Sequence, residues 1–204
     1  MELARQLKRR AWRLISLIRI APSPATAEAD RLVAYVTIEA VNAWASFCRA
    51  FYISCAMRAY TASGTRVAIT ASGLKTPQDA LLIAMKRLKG LKGTTFQRRH
   101  EPGWHDINNL ITMTGHIGAS NHGVVVAAFG YSTQAFICLP TLRNFFAHRN
   151  ADTCGKCHSL AAAIPVSLAK RPADILLHRD YAKPMNLLAE WITDMSQVAD
   201  DLVK

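Results

Sequence analysis

The sequence predicts an all-α fold, a helical bundle with one or more long amphipathic helices. Three observations predict it. Between Ala25 and Ser63 there is neither Gly nor Pro, and Val33, Val36, Ala40, Ala43, Phe47, Ala50 and Ser54 recur at steps of three and four, with Trp44 and Phe51 widening the stripe. Segments 76–92 and 184–202 repeat that period. Half of the 204 residues are hydrophobic, enough for a buried core and too many for a disordered chain.

The elements follow in order. At the N-terminus, Lys8, Arg9 and Arg10 precede the run AWRLISLIRIA, as in a secretory signal, but Arg13 and Arg19 interrupt it. The segment reads instead as a basic amphipathic helix over 1–21. Leu3, Leu7, Trp12 or Leu14, and Leu17 or Ile18 form its apolar face, and Arg5, Lys8, Arg9, Arg13 and Arg19 crowd the rest. Pro22 and Pro24 end it. The long helix spans 25–62. TASG then occurs at Thr61–Gly64 and at Thr70–Gly73, around the β-prone Arg66-Val-Ala-Ile, which predicts a short β-hairpin or a loop insertion.

Thr76-Pro77-Gln78-Asp79 is a helix start: Thr as N-cap, Pro at the first helical position, Asp in the first turn. The helix covers 76–92, with Leu81, Met85, Leu88 and Leu91 on one face, Lys86, Arg87, Lys89 and Lys92 outside, and Gly90 and Gly93 at its end. Thr94 to Gly103 reads as an exposed basic loop, followed by a helix over 106–116. Between Gly115 and Gly130, the run Val124-Val-Val-Ala-Ala fits a buried strand or a buried helix, and periodicity does not choose. A helix is expected over 132–150, with Pro140 as the place for a kink, then a polar turn over Asn150–His158. The last helix, 184–202, carries Met185, Leu188, Ile192, Met195 and Val198 or Ala199 on one face. The four tryptophans, Trp12, Trp44, Trp104 and Trp191, read as core or interface anchors. No low-complexity linker divides the chain, so a single helical domain over 1–204 is expected.

Lys and Arg number 25 against 14 Asp and Glu, a formal charge of +11. Such an excess draws polyanions, nucleic acid or an anionic membrane surface. RNA is the expected partner, and no membrane is. No run of about 18 apolar residues exists. Five cysteines at irregular spacing argue against a disulfide framework and for a reducing, cytoplasmic setting. Phosphate-cradling loops and the hydrolase elbow have no matching string.

The segment Leu142-Arg143-Asn144-Phe145-Phe146-Ala147-His148-Arg149 places an Arg, an Asn and a His on an otherwise apolar helix, with Leu142, Phe145 and Phe146 as its anchors. A guanidinium matches a phosphate and stabilises its growing negative charge. An imidazole moves protons near neutral pH. With no carboxylate cluster for a metal, the set suits metal-free RNA cleavage. Positions i and i+5 lie about 140° apart on a helix. A two-fold dimer would gather two such pairs around one phosphate.

The string RNFFAH resembles the R-x4-6-H motif of the HEPN-domain superfamily (higher eukaryotes and prokaryotes nucleotide-binding), including the polar residue after the Arg. The resemblance covers about eight residues plus the helical order. It implies an all-α bundle of HEPN type and a metal-independent endoribonuclease with a composite site at a homodimer interface. It further implies a toxin or antiviral-defence effector, with an antitoxin or another defence-system protein as partner and no cofactor. Arg143 and His148 would be catalytic, and Asn144 would orient or contact substrate. Arg149, Lys86, Arg87, Arg98 and Arg99 are the expected substrate-binding cations.

A competing string is Cys154-Gly155-Lys156-Cys157-His158, the CxxCH pattern. It attaches c-type haem in exported proteins, and Cys154, Cys157 and His158 form three of the four ligands of a zinc site. Without a second CxxC the zinc set is incomplete. The alternative functions are a non-catalytic helical module binding nucleic acid or protein and, less favoured, a zinc- or haem-binding protein.

Overall fold

The computed structural model describes residues 2–22, 25–93, 95, 97–130, 134–164, 171–180 and 183–204. The helix start at Ser132, the loop start at Thr94 and the helix stop at Pro24 lie outside the described residues. Among those described there are nine α-helices, one 3₁₀ turn (Arg98–His100) and no strand. The all-α expectation therefore holds. The helices are α1 (Glu2–Ile18), α2 (Ala27–Ala56), α3 (Pro77–Lys89), α4 (Ile107–His116), α5 (His122–Gly130), α6 (Gln134–His148), α7 (Ala151–Ala163), α8 (Pro172–Leu177) and α9 (Leu187–Leu202).

The chain forms two compact units. The first comprises Met1–Arg5, Trp44–Ser132 and Val198–Lys204. Its core is aromatic. On α2, Trp44 stacks on Phe47 at 5.4 Å and meets Phe129 of α5 edge-on at 6.2 Å. Phe47 stacks on Phe51 at 6.0 Å, and Tyr52 stacks on Trp104 at 5.2 Å while its hydroxyl donates to the Ala80 carbonyl of α3 at 2.9 Å. The i, i+3, i+4 spacing of these side chains is what lets one helix face supply them all. α3 begins as its sequence demands: Thr76 Oγ1 accepts from the Asp79 amide, and Asp79 Oδ2 accepts from the Thr76 amide. The Thr76 hydroxyl donates to Asp79 Oδ2 at 2.9 Å and, with the Thr76 and Lys75 amides, holds the Asp79 carboxyl below its usual range. Gly90, at φ +64°, closes the helix in the left-handed region.

The segment predicted as a hairpin or insertion is a loop with one antiparallel bridge, Tyr60 to Arg66. It is tied down at two places. Thr70 and Ala71 amides both donate to the Ile117 carbonyl, and the Ala68 amide and carbonyl pair with Ser120. Gly118 permits the first of these. At φ +59°, a Cβ there would collide with Thr70 Oγ1.

The second unit comprises Gln6–Ala43 and Thr133–Gln197. Buried Asn186 joins two helix ends in it. Its Nδ2 donates to the Ile18 carbonyl at 3.0 Å, and its Oδ1 accepts from the Ala189 amide at 3.0 Å. Near the start of α2, the Ala25 amide donates to Asp174 Oδ1 at 2.7 Å, and Arg171 Nη2 donates to the Ala25 carbonyl. α7 folds back on α6, with the Cys157 thiol 3.9 Å from the Thr141 carbonyl.

Several boundaries and two assignments differ from expectation. α1 ends at Ile18 rather than 21, α2 runs from Ala27 to Ala56 rather than 25–62, α3 ends at Lys89 rather than 92, and α9 starts at Leu187 rather than 184. α2 stops where Arg58 turns to φ +56°. The run Val124–Ala128 is helical. The polar segment after Asn150 is α7, not a turn: Asn150 Oδ1 accepts from the Thr153 amide and caps it. Pro172–Leu177, unassigned from sequence, is the short helix α8 with buried Ile175, Leu176 and Leu177. On α1 the structure chooses Leu14 over Trp12 and Ile18 over Leu17, the alternatives that the sequence left open. Ala4, Leu7, Ala11, Leu14 and Ile18 are buried, while Trp12 and Leu17 point outward.

Candidate functional site

α6 carries the candidate site because its apolar residues fall on one side. Ala135, Cys138, Leu139, Leu142 and Phe146 are buried, at steps of three, one, three and four. Pro140 lies inside the helix, where it removes one donor without ending the element. This anchoring fixes what stands next to it. Arg143 follows buried Leu142 and is half-buried. Its Nη1 donates to Asn144 Oδ1 at 3.2 Å. Its Nε is buried and has no hydrogen-bond partner among the described residues. His148 is the last residue of α6 and is exposed, with no hydrogen bond or ion pair to its side chain among the described residues.

Phe146 is the buried anchor of this stretch. Phe145 lies edge-on to it at 5.2 Å and is only half-buried, a correction to its expected core place. Arg149 adopts φ +45° just after the helix and remains exposed; its Nη1 donates to Asp30 Oδ2 at 2.8 Å, and the guanidinium lies 5.8 Å over the Phe146 ring. Asp30 thus pairs with one nitrogen of a cation expected to hold substrate.

The last turns of α6 and the residue after them thus carry Arg143, Asn144, His148 and Arg149, with Arg143 and His148 on different sides of the helix. The other expected substrate cations, Lys86, Arg87, Arg98 and Arg99, are exposed and belong to the other unit. Arg99 Nε donates to Gln97 Oε1 at 2.9 Å.

The CxxCH residues lie on α7. Cys157 is buried, Cys154 half-buried and His158 exposed. Burial, together with the neighbouring Cys154, pushes the Cys157 thiol up to about 11, so it stays protonated near neutral pH. No group of three or more His, Cys, Asp or Glu side chains converges among the described residues.

A node that the sequence did not announce lies in the first unit. Arg49 donates to both Glu101 oxygens, at 2.6 and 3.0 Å, and Trp104 Nε1 donates to Glu101 at 3.0 Å. Burial pushes the Glu101 carboxyl up, but the hydrogen bonds from Arg49 and Trp104 outweigh it and hold the group below its ordinary value. Arg49 and Glu101 are 52 positions apart, so no local pattern signals the pair. Every polar atom of the carboxylate is engaged, which makes the node structural.

Each unit has a cavity. In the first, an open pocket of about 220 Å³ lies beside Phe51, Cys55, Val67, Asn121 and Leu202. In the second, about 300 Å³ lies among Gln134, Ile164, His178, Arg179, Lys183 and Glu190. Neither is lined by Arg143 or His148. Compared with family models, curated proteins and solved structures, the chain matches none.

Proposed function

We propose that the chain is a metal-independent endoribonuclease of HEPN type, acting as a homodimer through Arg143 and His148, in a toxin or defence setting. The observation that carries this reading is the state of α6: an anchored Arg143 held by Asn144, and an exposed His148 with no described partner on the same helix. The sequence motif and the +11 charge agree with it.

The chemistry follows from these groups. An imidazole of His148 takes the proton from a ribose 2′-hydroxyl, and the 2′-oxygen attacks the adjacent phosphorus. The 5′-oxygen leaves and takes a proton from the His148 of the second copy. Arg143 stabilises the charge that grows on the phosphorane oxygens. The products are a 2′,3′-cyclic phosphate and a 5′-hydroxyl. Two copies are needed because one helix sets its Arg and His about 140° apart.

The test compares wild type, Arg143→Ala and His148→Ala on a mixed RNA substrate in EDTA, with oligomeric state measured by light scattering. Cleavage by wild type alone, leaving cyclic phosphate ends, supports the reading. A folded, dimeric wild type that binds RNA without cutting it would make the chain a binding module instead.

A further inference from the structure

The outward face of α1 has a composition that neither the proposed cleavage nor the core explains. Its buried stripe is Ala4, Leu7, Ala11, Leu14 and Ile18. On the other side, Trp12 is 70% exposed and Leu17 44%, and Ile20, in the turn just beyond the helix, is 81% exposed. Trp12 and Leu17 bound an arc of about 140°; Arg9, Arg13 and Ser16 fall inside it, as do Glu2, Arg5 and Gln6 in the first turns, where Arg5 pairs with Glu2. Arg10 and Arg19 flank the arc and are exposed too. None of Arg9, Arg10 and Arg13 has a hydrogen bond or ion pair to a carboxylate among the described residues. At the far end, Arg179 Nη2 donates to the Arg19 carbonyl at 2.7 Å and adds another exposed guanidinium beside Ile20.

We infer that this face docks on an anionic lipid surface, lying flat at the interface rather than crossing it. Among the described residues no single helix is long and apolar enough to cross a membrane. The charge is complementary to anionic headgroups: Arg9, Arg10, Arg13, Arg19 and Arg179 outnumber the two carboxylates near the ends of the face, Glu2, which pairs with Arg5, and Asp180, which follows Arg179. The apolar residues select lipid over nucleic acid. Trp12 fits the level of the headgroups, and Leu17 and Ile20 gain by entering the acyl boundary. A nucleic acid would use the arginines and the Trp12 ring, but it offers exposed aliphatic side chains nothing to enter. The inference reverses the expectation that no membrane is a partner, and it stands independently of the cleavage reading.

Trp12 also reports the event. Trp44, Trp104 and Trp191 are buried, so a change in tryptophan emission on docking comes from Trp12. The full chain is mixed with vesicles of phosphatidylcholine alone, or with about 30% phosphatidylserine, at roughly 0.15 M salt. Co-sedimentation and a blue shift on the anionic vesicles only are expected. Arg9→Gln with Arg13→Gln should weaken binding about 25-fold, about fivefold for each charge. Trp12→Ser with Ile20→Ser keeps every charge and should weaken it at least tenfold. All four positions are exposed, and unchanged circular dichroism checks that the variants fold. Absence of anionic-vesicle binding overturns the proposal, as does binding indifferent to both variants. So does emission that responds to single-stranded RNA but not to vesicles, which would make the face a nucleic-acid surface.

Discussion

Arg49 and Arg143 occupy opposite situations in the two units. Arg49 is locked by both oxygens of Glu101, and a tryptophan amine completes the carboxylate's shell. Arg143 has one bond to the neighbouring Asn144 and a buried Nε without a described partner. The Glu101 carboxylate, with both oxygens engaged, contributes stability and offers a ligand nothing. A guanidinium held in place but left incomplete retains donors for a phosphate. The difference teaches that a carboxylate partner 52 positions away fixes Arg49 in the fold, whereas Arg143 is tied only to its neighbour in the chain.

The largest expected effect tests that contrast directly. His148→Ala should slow RNA cleavage by roughly 10²- to 10⁴-fold, and Arg143→Ala by a comparable factor. Neither should shift the urea midpoint appreciably, since His148 is exposed and Arg143 bonds only a surface Asn. Loss of cleavage together with loss of stability would mean that α6 is merely a structural helix.

The reverse pattern is expected at Glu101. Glu101→Ala leaves Arg49 and Trp104 Nε1 without their acceptor and should cost about 2 kcal/mol in urea unfolding, with cleavage per folded molecule unchanged. Its native carboxyl lies below its ordinary value of 4.5, so the unfolded state binds the proton more readily. This contribution is therefore present above that pH and is lost as pH falls through the depressed native value. Wild type should lose more stability between about pH 5 and 3 than Glu101→Gln does. Parallel pH curves for the two would remove Glu101 from the account.

A smaller effect is expected at the start of α3, where Thr76→Ala should cost about 1 kcal/mol by removing the oxygen that accepts from the Asp79 amide. The smallest belongs to Arg149. Its pair with Asp30 is partly exposed, so Arg149→Ala should change stability by no more than about 1 kcal/mol. It should also leave RNA affinity within about twofold, because the Asp30 carboxylate offsets part of the Arg149 charge. A loss of affinity as large as one full phosphate contact would restore Arg149 to the substrate-binding set.

What could be read from the chain in advance followed local rules. The Thr76-Pro77-Gln78-Asp79 start, the Gly90 stop and the α2 stripe depend on neighbours within four residues, and the folded helices keep them. The CxxCH segment misled because Gly155 and its polar neighbours resemble a turn, whereas Asn150 caps it and Cys157 packs it on α6. On α1 the apolar pattern left Trp12 or Leu14 and Leu17 or Ile18 open, and the fold buries Leu14 and Ile18 together with small Ala4 and Ala11. A helix packs closely through small side chains, and hydrophobicity alone does not record that.

By itself the sequence determined the helical class, the helix starts and stops that carry their own caps, the basic excess, and the adjacency of Arg143, Asn144 and His148 on one element. These are properties of periods and neighbours along a chain. Only the tertiary structure decided that Arg149 answers to Asp30, that Glu101 is spoken for by Arg49 and Trp104, that Cys157 is sealed as a thiol, and that Trp12 faces outward. Each depends on a partner dozens of positions away or on which of two faces a helix buries. Those outcomes follow from the packing of whole elements, where local propensity is silent.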